Sequence, residues 1–257
     1  MHSLPAPAPP FRWSEAPWGP VLVCDALGQH AWHFFSARGV EIAGPEAAPG
    51  WDEVAGALGV PVDRLWRMRQ VHGIDVTVAD CLPTGRDAWP EGDLLVTELA
   101  DAALAIRTAD CVPVLLVDPR RRVVAAVHAG WRGTALGASL HIVSLLEERY
   151  GVHAADLIAA IGPSIGPDRY EVGPDVPAGF ARRFDDPHVS RWCAPAGDGT
   201  FRLDLWQANA DQLVIAGIPA EQVHVSRLCT ATHADVFHSY RVDGARAGRM
   251  VAAIRLR

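Results

Sequence analysis

The sequence predicts a mixed α/β or α+β domain, and three observations carry the prediction. Short runs rich in Val, Ile and Leu recur along the chain, each bounded by Gly, Pro or Asp. Two longer segments show helical periodicity instead. Strands and helices do not alternate strictly, as a doubly wound sheet requires. GxGxxG does not occur, which removes the simplest dinucleotide reading.

Taken in order, residues 1–20 read as a Pro/Ala-rich tail, opening MHSLPAPAPP, and residues 21–257 as a single domain. That opening has neither a basic n-region nor an apolar h-region, so a secretory signal is not expected. A weak helix is expected over Trp51–Leu58. Strands are expected at Leu94–Thr97, Val112–Val117, Val123–Val127, Leu157–Ile161, Val223–Leu228 and Met250–Leu256. One strong helix runs from about Thr134 to Tyr150, with Leu136, Leu140 and Val143 on one stripe and Gly151 as its stop. A second runs from about Leu205 to Ala216, with Asp204 as N-cap and Gly217 at its C-terminal end.

Composition narrows the function classes. The chain has 257 residues, 49% hydrophobic and 21% charged, enough for a sizeable core. A net charge of -7 argues against a nucleic-acid partner or an anionic membrane. No apolar run approaches the ~20 residues of a membrane-spanning helix. The basic residues are all Arg. Without Lys, P-loop, pyridoxal-phosphate and protein-kinase chemistries are unavailable. Arg stays protonated and cannot serve as nucleophile or base. The five cysteines, Cys24, Cys81, Cys111, Cys193 and Cys229, are widely spaced and form no C-x-x-C. A disulfide framework is not expected, and a reducing cytoplasm is.

Chemistry concentrates at three places. His72 lies in LWRMRQVHGID, where strand alternation would put Trp66, Met68, Gln70 and His72 on one face, ending at Gly73. Cys111 opens the apolar run of ADCVPVLLVD. His128 closes that of VVAAVHAGWRGT, where Gly130 and Gly133 frame a helix entry. Two His and one Cys suffice for a catalytic metal with an open fourth position. The same residues allow Cys111 as a nucleophile with His128 or His72 as base. Wide spacing leaves both open.

Six segments resemble the multicopper polyphenol oxidase, or laccase-domain, family. They are QVHGIDV from Gln70, GDLLVTELADAALAIRTADCVPVLLVDP from Gly92, VAAVHAGWRGT from Val124, IGPSIGPDRYEVG from Ile161, LDLWQANADQL from Leu203 and CTATHADVFHSYRVDGARAGR from Cys229. The family is also described as purine nucleoside phosphorylases and, in some bacteria, as a peptidoglycan editing factor. The resemblance implies one domain with layered α/β/β/α architecture and mixed sheets. It implies a metal held by His72, Cys111 and His128, with zinc expected ahead of copper.

The activity implied is zinc-dependent phosphorolysis of purine nucleosides to base and ribose 1-phosphate, with adenosine deamination as a side activity. The alternatives are a copper-dependent polyphenol oxidoreductase, or a Cys–His hydrolase or cell-wall-precursor editing factor. Asp110 is the expected acid or base, and Arg38 and Arg132 the expected phosphate ligands. Gln70, Tyr170, His238 and Arg241 are expected to bind substrate. The partners implied are a purine nucleoside and phosphate, on a monomer or homodimer. The chain departs from the family before His72, where an Asn-bearing loop is shortened or lost. Ser164, Asp168 and Arg169 stand where relatives often carry Cys, which argues against a multi-copper cluster. Ala210 stands where Arg is common.

Overall fold

Two six-stranded sheets face each other, and helices cover the outer face of each. The computed structural model describes residues 4–42, 50–80 and 89–257. The shortened loop expected before His72 falls largely on residues 43–49, and Cys81 on 81–88, both outside the described residues.

The first third of the chain forms β1 (Phe11–Ala16), β2 (Gly19–Cys24), helix α1 (Asp25–Gly28), β3 (Ala31–Ser36), α2 (Gly50–Ala57), β4 (Leu65–Trp66), β5 (Val76–Val78) and β6 (Leu94–Thr97). The middle forms β7 (Ala103–Thr108), β8 (Val112–Asp118), β9 (Val123–Ala129), α3 (Trp131–Ala135), α4 (Ala138–Tyr150), β10 (Ile158–Ile161), β11 (Glu171–Val172), α5 (Asp175–Phe180) and α6 (Asp186–Trp192). The last part forms β12 (Cys193–Gly197), β13 (Thr200–Leu203), α7 (Leu205–Ile215), β14 (Val223–Val225), α8 (Tyr240–Asp243) and β15 (Met250–Leu256).

One sheet has the order β1-β2-β3-β15-β7-β4, the other β14-β10-β8-β9-β6-β5, and β11-β13-β12 form a small third sheet. Both large sheets are mixed: β4–β7, β5–β6 and β10–β14 pair parallel, their other neighbours antiparallel. Period-two alternation explains the layering. On β8 and β9, Val114, Leu116, Val123, Ala125 and Val127 face α4 and α7 in one core. Leu115, Val117, Val124 and Ala126 face the opposite sheet in a second core, with Leu22, Phe35 and Ile254. A third core joins α2, through Trp51 and Val54, to the outer face of the first sheet. Strands buried on both faces read as unbroken apolar runs.

Three expectations change. The segment read as a tail contains β1, which pairs with β2 along its whole length from Phe11↔Cys24 to Ala16↔Gly19. The helix expected from Thr134 breaks into α3 and α4 at Gly137, whose φ of 84° is left-handed and whose missing Cβ leaves room for the Arg183 side chain. The stripe therefore shifts: Ala138, Ile142, Val143 and Leu146 are buried, whereas Leu136 is 49% exposed. The helix at Leu205 is as expected, with the Asp204 carboxylate accepting the Gln207 N–H at 2.9 Å.

One buried histidine makes acid stability testable. His33 on β3 accepts the Cys24 N–H at Nε2 (2.9 Å) and donates from Nδ1 to the Ala31 carbonyl (3.2 Å). Burial lowers its pKa from 6.5 to about 4, against the smaller upward pull of that carbonyl. Above pH 6.5 both folded and unfolded imidazoles are neutral, and the contribution is complete. Below it the unfolded chain takes up a proton first, so stability falls until the folded ring also titrates. The loss is roughly 3 kcal/mol between pH 7 and 4. Urea unfolding at both pH values should show it in the wild type and a smaller loss in His33→Asn. Equal losses in the two proteins would show that His33 is not responsible.

Candidate metal centre

Cys111 and His128 come together because their strands are neighbours. β8 and β9 pair antiparallel with Val112 opposite Ala129 and Pro113 opposite His128, so Cys111, one residue before β8, lies beside His128. His72 arrives differently. It does not end a strand; it sits in a bend with φ 63°, a left-handed conformation that a non-glycine residue keeps only when held.

Asp93 holds it. The Asp93 carboxylate accepts the N–H groups of Val71 (3.2 Å), His72 (3.0 Å) and Gly73 (2.7 Å). It also accepts the Nδ1–H of His128 at 2.7 Å, and it is completely buried. One carboxylate thus fixes the bend and the neighbouring imidazole together. With Nδ1 donating, Nε2 is left as the donor atom of His128.

The three donor atoms lie within 4.8 Å of one another. The His72 and His128 rings meet edge to face at 5.1 Å between centroids. Gly130 makes the room: a Cβ there would come within 3.0 Å of Cys111 Sγ and 3.1 Å of His72 Cδ2. Burial pushes the Cys111 thiol up, but the His128 charge and hydrogen bonds from both histidines outweigh it and bring its pKa to about 6. Burial pushes His128 down, but the Cys111 thiolate and Asp93 outweigh it and raise its pKa to about 9. Desolvation raises Asp93, and the His128 contact with the Gly73 and His72 N–H groups overcomes it, leaving the carboxyl low. The donors fit a metal: a thiolate, two imidazoles at the right separation, and a carboxylate orienting one ring.

The centre opens into a cleft of about 610 Å³. Of the expected substrate residues, Gln70, Arg132, Tyr170 and Arg241 line it, as does Asp110, the expected acid or base. Several of them already have partners within the protein. Asp110, at φ 84°, accepts the Thr230 hydroxyl at 2.5 Å and the Arg241 N–H at 2.6 Å, so both its oxygens are engaged. Gln70 spends both ends of its amide on the Arg107 backbone, donating to its carbonyl and accepting its N–H, each at 2.8 Å. Arg241 lies 5.3 Å over the Tyr170 ring, and Arg132 lies 4.4 Å over Trp131. Burial raises the Tyr170 pKa to about 12.

Arg38 and His238 are not among the cleft's lining residues. Arg38 donates to the Phe237 carbonyl and the Asp243 carboxylate, each at 3.0 Å, which makes it a structural tie. His238 packs against Gly248. Sequence reasoning missed Asp93, Arg107 and Arg249. Asp93 stands inside GDLL, yet its clamp crosses 20 to 35 positions and leaves no local pattern.

Fold and site together define a layered α/β domain in which, among the described residues, one three-residue group suited to a metal lines a cleft. The family described as multi-copper polyphenol oxidoreductase laccase matches residues 48–257, and the chain belongs to it. A purine nucleoside phosphorylase of Bacteroides thetaiotaomicron is 39% identical over 165 residues, 64% of this chain and 60% of that protein. Purine nucleoside phosphorylase YlmD of Geobacillus stearothermophilus is 38% identical over 203 residues, 77% of this chain and 74% of the relative. The crystal structure of Bacillus licheniformis hypothetical protein YfiH superposes with a TM-score of 0.85 at 28% identity, covering 97% of this chain and all of that one.

The expectation of zinc ahead of copper is corrected by these findings. The family carries a copper enzyme's description, and one thiolate with two imidazoles is a donor set of copper sites. Donor set and family description together point toward a copper-type site rather than a zinc site. No helix among the described residues is long and apolar enough to cross a membrane.

Proposed function

We propose that this chain is a metal-dependent purine nucleoside phosphorylase. The observation that carries the reading is the juxtaposition of the His72–Cys111–His128 centre with guanidinium groups in one cleft. The activity for which two relatives are named supports it. In the reaction the bond from C1′ of the ribose to the purine nitrogen breaks and a C1′–O bond to phosphate forms. The proton given up by hydrogen phosphate ends on the purine.

A bound metal supplies a Lewis acid for an oxygen or nitrogen of the substrate. The chain's own residues do the rest. Arg132 and Arg241 offer planar, permanently charged forks for the phosphate oxygens. The Trp131 and Tyr170 rings beneath them keep those forks in place. Asp110 positions Arg241 through its backbone N–H and is not the acid or base. Deamination of adenosine therefore lacks its expected proton carrier and stays subordinate.

A second reading, copper-dependent oxidation of phenols, is favoured by the donor set and the family's description. Against a multi-copper reaction, the triad is the one group of this kind among the described residues.

The purified, metal-loaded protein should release hypoxanthine from inosine together with ribose 1-phosphate, and only when phosphate is present. Chromatography of the products checks it. Base release at the same rate without phosphate would make the protein a hydrolase. Oxygen uptake with a phenol and no turnover of any purine nucleoside would establish the second reading.

A further inference from the structure

The cleft holds more positive charge than one phosphate uses. Arg107, Arg132, Arg241 and Arg249 all line it, on a chain whose net charge is -7. The single carboxylate among the lining residues is Asp110, whose oxygens are already taken by Thr230 and the Arg241 backbone. Among the described residues, none of the four guanidinium groups has a carboxylate within ion-pair distance. Unpaired guanidinium groups concentrated in a partly buried cleft repel one another until an anion enters.

The four divide by how they are held. Arg132 and Arg241 each lie over an aromatic ring, Trp131 and Tyr170. Arg107 stands on β7 opposite Val251 of β15, and Arg249 is the residue that leads into β15, so the two come from neighbouring strands of one sheet. This second pair is held in place. The two hydrogen bonds from the Gln70 amide lock the Arg107 backbone. Arg249 donates from Nη1 to the carbonyls of Ala247 (2.8 Å) and Gly248 (2.9 Å), leaving its other nitrogens to donate elsewhere. Two like charges brought to one cleft from neighbouring strands, with no counter-charge within ion-pair distance, mark a place for a dianionic group.

We propose that the preferred substrate is a purine nucleoside 5′-monophosphate, whose own phosphate is gripped by Arg107 and Arg249 while Arg132 and Arg241 take the inorganic phosphate. The inference rests on the phosphorylase reading and narrows its substrate class. Arg107 and Arg249 are then specificity residues.

The test is equilibrium dialysis of the intact, metal-loaded protein at low salt with inosine 5′-monophosphate and, in parallel, inosine. The monophosphate is expected to bind about tenfold tighter or better, roughly 1.4 kcal/mol. Added salt should shrink that advantage. Arg107→Gln and Arg249→Gln should each cut it to near unity, and Arg132→Gln should keep it. Arg107→Lys, which keeps the charge without the fork, should retain part of it and guards against a folding defect. Equal affinity for the two ligands overturns the inference, as does an advantage that survives in both Gln variants. Inosine turnover is assayed on the same preparation. Turnover without any monophosphate advantage sinks this inference alone, whereas no turnover of either compound sinks the phosphorylase reading beneath it.

Discussion

Cys111→Ala is expected to lose the bound metal and at least about a thousandfold in nucleoside turnover, equivalent to roughly 4 kcal/mol of barrier. Cys111 supplies the one thiolate of the centre, and two imidazoles alone hold a metal weakly. The same geometry also presents a Cys–His pair, so the ligand role must be separated from a nucleophilic one. Iodoacetamide labelling with and without a strong chelator does this. With its pKa near 6, the thiol is ionised at neutral pH, so once the metal is stripped it should alkylate quickly. Metal-loaded protein should label slowly and be fully active; chelated protein should label quickly and be inactive. Activity that rises on chelation would sink the metal reading and leave a Cys–His hydrolase.

The second large effect is expected at Asp93. Asp93→Ala leaves three backbone N–H groups and the His128 ring without their acceptor, at the place of a carboxylate that is itself completely buried. The cost in folding stability is about 3–5 kcal/mol, with metal affinity falling about 10–100-fold. Asp93→Asn separates the two effects. Its amide oxygen can still accept from the Val71 and Gly73 N–H groups, though not from His72, so part of the stability survives. Its NH₂ would face His128 Nδ1 and force the proton onto Nε2, the atom the metal needs. Metal affinity, read by competition with a chromophoric chelator, should therefore fall as far as in Asp93→Ala. An Asn variant that binds metal like the wild type would show that the carboxylate supports the fold and not the centre.

These two residues also show what the sequence makes legible. Cys111 and His128 sit at the ends of continuous apolar runs, and such runs mark strands buried on both faces. For that reason β6, β8, β9 and β15 lie within a residue or two of their expected places. His72 was misplaced because Trp66, Met68, Gln70 and His72 alternate like a strand, while β4 ends at Trp66 and the chain then pairs at the isolated bridge Arg69↔Glu91 before it bends. The bend that follows is imposed by Asp93 across the fold, and no local propensity announces it. The β1–β2 hairpin was hidden by the Pro and Ala around it, although FRWSEA and GPVLVC alternate well enough to pair. Arg38 shows the converse: type and motif suggested a phosphate ligand, but its direction is set by Asp243, over two hundred positions away.

The order of strands in the two large sheets bears on how this chain avoids sticking to itself. Three of the four outermost strands are only two or three residues long: β4, β5 and β14. A free ladder of that length offers too few hydrogen bonds to template a neighbouring chain. The fourth, β1, runs for six residues and has Arg12 and Glu15 on it, which discourage edge-to-edge growth. The long apolar strands β8, β9 and β15, which would be the strongest amyloid templates if exposed, are each flanked on both sides within their sheets. Aggregation should therefore track opening of the sheets rather than contact between intact molecules.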